Sequence, residues 1–120
     1  MKKRMHMARR KMSHVIDELY TALFHMGSEK VDLCLRKEAE GFHLTMRGDF
    51  APENRRQAER MAELLQPAVR NPALVEAYWE LAGGDHYTSD SELSLVGQML
   101  DETRIEILEK EVRMDLYLAF

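Results

Sequence analysis

One cysteine in 120 residues, Cys34, is too few for an intrachain disulfide framework or a cysteine-rich zinc site. No run of 18 apolar residues occurs, which excludes a membrane-spanning helix, and no apolar core of the signal-peptide kind is found. A cytosolic protein is the expectation. The five histidines (His6, His14, His25, His43, His86) are scattered, and no two stand at the His-x-x-x-His spacing of a helical metal site. No metal is therefore expected. What the chain does have is 45% hydrophobic and 32% charged residues, enough apolar material for the core of one soluble domain.

Acid is absent from one stretch. Residues 1–11 carry six of the 17 Lys/Arg (Lys2, Lys3, Arg4, Arg9, Arg10 and Lys11) and no Asp or Glu, so this stretch is +6. The other 11 basic residues stand against all 21 acids, which makes the remaining 109 residues −10 and the whole chain −4. An acidic body argues against a nucleic-acid interface spread over the domain. The six basic residues alone are suited to phosphates, lipid headgroups or an acidic protein. The expected division is a basic arm over 1–12 and a single domain over 13–120.

Hydrophobic period then assigns the elements. Met12, Val15, Ile16, Leu19, Leu23 and Met26 recur at helical spacing, with Ser13 as a candidate cap and Gly27-Ser28 as the stop. The period next drops to two: Val31, Leu33 and Leu35 alternate with Asp32, Cys34 and Arg36, and Phe42, Leu44 and Met46 alternate with His43, Thr45 and Arg47. That predicts an antiparallel hairpin with one apolar and one polar face. Ala58, Met61, Leu64, Leu65 and Ala68 predict a helix that Pro67 ends or kinks. Asn71-Pro72 opens another with Leu74, Val75, Tyr78, Leu81 and Ala82, closed by Gly83-Gly84. Ser89 and Glu92 form a capping box for a third carrying Leu93, Val96, Met99 and Leu100. Ile105 and Ile107, then Val112, Met114, Leu116 and Leu118, return to period two as a second hairpin. The expected fold is α+β, in the order α-β-β-α-α-α-β-β: a two-layer sandwich of a mainly antiparallel sheet with helices on one face.

Two motifs carry a resemblance. The first helix contains Asp17-x-x-x-Thr21-Ala22-x-x-His25, and the first hairpin ends in Arg47-Gly48-Asp49-Phe50-Ala51-Pro52. In this order, followed by Ser91-Glu92-Leu93-Ser94-Leu95 and two final strands, they resemble the histidine-kinase-like ATPase (GHKL, or Bergerat) superfamily. The nearest forms are anti-sigma-factor kinases and histidine-kinase ATPase domains, and the likeness runs along residues 13–120. It implies a nucleotide cleft formed by Asp17, Thr21, His25, Asp49 and Ala51, with Asp17 as general base and Asp49 reading adenine. Thr21 stands where the family places a magnesium-ligating asparagine, Ala51 replaces a glycine, and the phosphate-cradling glycine box is here glycine-free with Glu92 inside it. A carboxylate and blocked backbone amides are poor hosts for a triphosphate. The helices expected over about 53–82, with Tyr78 and Trp79, stand in place of the family's lid.

These departures lead to the expectation of a non-catalytic regulatory or protein-binding module in bacterial-type signalling, with no cofactor. The alternatives are an active serine kinase or ATPase using Mg-ATP, and a ligand-free dimerisation scaffold held through the central helices or the open sheet face. A protein partner or a second copy is the expected binding partner. Its candidate contact residues are Arg36, His43, Arg47 and Tyr117 on the polar sheet face, together with Lys2, Lys3, Arg4, Arg9, Arg10 and Lys11. Cys34 on that polar face is expected to be a free thiol.

Overall fold

A computed structural model of the chain describes residues 2–67 and 90–120. The first helix, α1, spans Lys2–His25 and buries Ala8, Met12, Val15, Leu19, Ala22, Leu23 and, just beyond it, Met26. The helix therefore begins well before Ser13, the expected cap. Ala8 and Met12 continue the apolar stripe, so the basic stretch is the opening of α1, with Lys3, Arg4, Arg9 and Arg10 turned to solvent. Its first turns lie beside Leu118, Ala119 and Phe120 at the far end of the chain.

Gly27 ends α1 with φ +85°, a left-handed conformation that glycine adopts without strain. The Ser28 N–H donates to the Leu23 carbonyl (3.0 Å) and the Gly27 N–H to that of Phe24 (3.1 Å), the paired bonds of a Schellman stop. Strands β1 (Val31–Lys37) and β2 (Gly41–Asp49) follow as a tight hairpin in which Leu35 lies opposite Leu44. A short 3-10 turn (Pro52–Asn54) leads into α2 (Arg55–Leu65), which stops just before Pro67. Helix α3 (Asp90–Met99) precedes β3 (Glu102–Ile107) and β4 (Glu111–Ala119). The helix expected over Asn71–Gly84, with Tyr78 and Trp79, and the Ser89 half of the capping box lie outside the described residues.

All strand pairs are antiparallel and the sheet order is β1-β2-β4-β3, so the two hairpins meet at β2 and β4. The fold is the expected α+β sandwich. Phe42, Leu44 and Met46 of β2 and Val112, Met114, Leu116 and Leu118 of β4 form the centre of the inner face. Against them pack α1, Ala58, Met61 and Leu65 of α2, and Leu93, Val96 and Met99 of α3. Gly97 allows α3 to lie directly on α2, since a Cβ there would sit 2.5 Å from the Leu64 carbonyl oxygen. Among the described residues no helix is long and apolar enough to cross a membrane.

Candidate functional site

The residues expected to hold a nucleotide divide into two groups. Asp49 and Ala51, at the end of β2, clasp the turn after α1. One Asp49 carboxylate oxygen accepts the N–H groups of Glu29 (2.9 Å) and Lys30 (3.0 Å), and its carbonyl accepts the Ser28 hydroxyl. The Lys30 N–H, and after it that of Glu29, hold the Asp49 carboxyl below its ordinary range against the opposing effect of burial. The Ala51 N–H and the Asn54 side-chain amide both donate to the Met26 carbonyl, at 3.1 and 2.9 Å. This set of bonds fastens the first hairpin to the stop of α1.

Asp17 and Thr21 lie elsewhere. At 100° per residue both project from the side of α1 opposite Leu19, and the Thr21 hydroxyl donates to the Asp17 carbonyl (2.7 Å). About 13 Å of helix axis separates Asp17 from Met26. His25 is exposed, edge-on to Phe24 with centroids 5.6 Å apart. It lines a groove of about 730 Å³ with Ala22 and Met26, facing Arg56, Arg60 and Asp90 of α2 and α3. Arg60 reaches Asp90 at 3.5 Å and Glu63 at 3.2 Å, so its charge is met within the groove.

A second cluster joins α1 to α3. His14, Glu18 and Glu92 place one donor atom each within 4.8 Å of one another, and His14 Nε2 lies 3.8 Å from Glu92 Oε2. Glu18 is buried. One imidazole and two carboxylates are a donor set that a divalent cation accepts, and here they come from two helices. The spacing His14-x-x-x-Glu18 puts both on one helix face and is visible in the sequence. Glu92 joins them only through helix packing.

On the polar face of the sheet the expected partner-binding residues meet as neighbours. His43 Nδ1 accepts from Arg36 (2.8 Å), which places the ring proton on Nε2, where it meets Asp115. Glu38 approaches both Arg36 (3.9 Å) and His43 (3.7 Å). Arg47 lies 3.6 Å from Asp32 and 3.6 Å from Glu111, which also holds Arg113 at 3.0 Å. Tyr117 stands opposite His43, and burial, then the carboxylates of Glu40, Glu38, Asp101 and Glu102, push its phenol above the ordinary range. Each of these arginines thus has a carboxylate beside it, and the face presents a mixed charge lattice in which carboxylates outnumber arginines. Exposed pairs of this kind stabilise by at most about 1 kcal/mol each.

The apolar face is covered unevenly. β3 lies at one edge, and its inward residues Thr103, Ile105 and Ile107 are half-buried beside α2. β1 lies at the other edge, and of its inward residues Val31 packs against the core while Leu33 is 45% and Leu35 43% exposed. On α1, Tyr20 is 52% and Phe24 62% exposed. These four are the large hydrophobic residues left open among the described residues. An open strand edge with an apolar strip beside it is a template for another strand. The sequence marked Leu33 and Leu35 as inward-facing, but it carried no sign of which strand would lie at an edge. No family model, curated protein or solved structure matches this chain.

Proposed function

We propose that this chain is a non-catalytic protein-binding module of a regulatory kind, on a histidine-kinase-like ATPase framework, and that it docks its partner along the β1 edge. The observation that carries this reading is that Leu33 and Leu35 on the inward face of β1 are open, on a strand edge that no other strand pairs among the described residues. Docking by strand addition uses main-chain hydrogen bonds for affinity and alternate side chains for selection, and β1 supplies both. The non-catalytic part rests on chemistry. The Asp49 carboxylate is engaged by two backbone N–H groups of its own chain. Asp17 and Thr21 project from the back of α1. Glu92 occupies the segment that would need bare amides for phosphate, and lies beside His14.

Two measurements test it. Calorimetry with Mg-ATP and Mg-ADP is expected to give no saturable heat, and micromolar binding with turnover overturns the non-catalytic reading. A photoreactive benzophenone side chain replacing Leu33 is expected to give a discrete protein adduct in cells, whereas the same group replacing Glu106 on the opposite edge strand gives none. Absence of an adduct at Leu33 overturns the docking reading.

A further inference from the structure

We infer that the partner of the β1 edge is a second copy of this chain, the two β1 strands pairing antiparallel about a two-fold axis through Cys34. The inference rests on the docking reading above and adds the identity of the partner and the register.

The backbone decides which groups are available. The Glu38 N–H donates to the Gly41 carbonyl (2.8 Å) and the Asp49 N–H to the Lys30 carbonyl (3.4 Å), so even-numbered positions along β1 turn their main-chain groups toward β2. The N–H and C=O groups of Val31, Leu33, Leu35 and Lys37 therefore point away from the sheet. A second β1 must meet these outward groups with its own, so odd positions lie opposite odd positions. The pairing that uses all seven residues of β1 sets Leu33 of each copy opposite Leu35 of the other, in hydrogen-bonded pairs. It sets Asp32 of each copy opposite Arg36 of the other, and Cys34 opposite Cys34.

Charge selects this register over its neighbours. The two-fold axis makes the Asp32–Arg36 attraction occur twice. Sliding one strand by two residues in one direction brings Lys30 opposite Arg36; sliding it the other way brings Asp32 opposite Glu38. Like charges directly opposite are destabilising across a strand pair. Asp32 and Arg36 are about half exposed; Asp32 stands 3.6 Å from Arg47, and Arg36, which donates to His43 at 2.8 Å and lies 3.9 Å from Glu38, carries five N–H donors, enough to admit another partner. The same pairing brings the open leucines together: Leu33 and Leu35 of both copies become interior positions of a continuous eight-stranded sheet.

Cys34 reports on the geometry. It is a free, exposed thiol on the polar face. On the two-fold axis it forms a non-hydrogen-bonded pair with its counterpart, where Cα atoms stand about 4.5 Å apart, within the span of a disulfide.

The test is sedimentation velocity on the purified full chain across a concentration series, and the expected result is a reversible monomer–dimer equilibrium. Asp32→Arg and Arg36→Asp each turn two attractions into two repulsions and weaken the dimer about tenfold. An equimolar mixture of these two variants sets a basic side chain against an acidic one at both positions, and is expected to recover the parent's affinity as a heterodimer. Diamide, taking up two hydrogens from two thiols, is expected to close a Cys34 disulfide in the parent. Moving the thiol in a Cys34→Ser, Lys37→Cys variant, which keeps both charges and places the thiol opposite Val31, abolishes the crosslink. A chain that stays monomeric up to about 200 μM, a mixture no tighter than its components, or undiminished crosslinking from position 37 overturns the inference. A foreign protein in the Leu33 photoadduct alongside a monomeric chain overturns self-pairing and leaves the docking reading standing.

Discussion

Leu35 and Leu44 lie opposite each other on the inner side of the β1–β2 pair, yet Leu35 is 43% exposed and Leu44 is fully buried. Truncating each to alanine therefore separates the covered part of the face from the uncovered part. Complete burial of a leucine side chain is worth about 1.5–3 kcal/mol. Leu35 hides a little over half of its surface and its removal leaves no enclosed void, so Leu35→Ala is expected to cost about 1 kcal/mol. Leu44→Ala removes a fully enclosed side chain between β1, β4 and α1, adds a cavity, and is expected to cost about 2–5 kcal/mol. Urea unfolding followed by far-ultraviolet circular dichroism at low protein concentration measures both. The same measurement at high concentration adds a second prediction: pairing of copies stabilises the parent by mass action, and Leu35→Ala loses most of that increment while Leu44→Ala retains it. If Leu35→Ala costs as much as Leu44→Ala at low concentration, the strand is already covered within its own chain. The docking surface would then not exist.

Gly97→Ala is expected to destabilise by about 1–3 kcal/mol, because the new methyl group meets the Leu64 carbonyl at 2.5 Å and forces α2 and α3 apart; thermal unfolding checks it. Asp49→Asn weakens the clasp on the α1 stop by about 1 kcal/mol at neutral pH, a figure kept small by the site's solvent access. The folded Asp49 carboxyl is held below the ordinary value of 3.8. Its contribution is thus fully present above that value and disappears as pH falls through the lower folded value. Acid titration of stability is accordingly expected to be shallower below pH 3.8 in Asp49→Asn than in the parent. An unchanged acid limb would show that the two N–H bonds to Asp49 contribute nothing to folding.

Both hairpins and the stripes of α1, α2 and α3 are legible from the spacing of apolar residues, because side-chain direction along a helix or strand follows local backbone geometry. The α+β class follows from those elements. The start of α1 was less legible. Ala8 and Met12 are spaced for the core, but the lysines and arginines between them resemble a solvated arm until β4 and Phe120 are brought alongside. The would-be nucleotide residues show the same limit. Asp17 and Asp49 match one pattern in the chain, yet a helix phase and a loop clasp direct them to different places.

Alternation by itself determined that Leu33 and Leu35 share a face with Leu44 and Met46, and that Asp32, Cys34 and Arg36 share the other. Only the tertiary structure decided that the first pair would be open and the second buried. Strand order places β1 outermost, and among the described residues α1, α2 and α3 cover β2, β4 and β3 but leave Leu33 and Leu35 of β1 open. Facing direction is a property of neighbouring residues in sequence, whereas cover depends on elements far apart along the chain. The charge pattern of β1 was written locally as well, and it became a self-complementary edge only because the fold places no described strand on the outer side of β1.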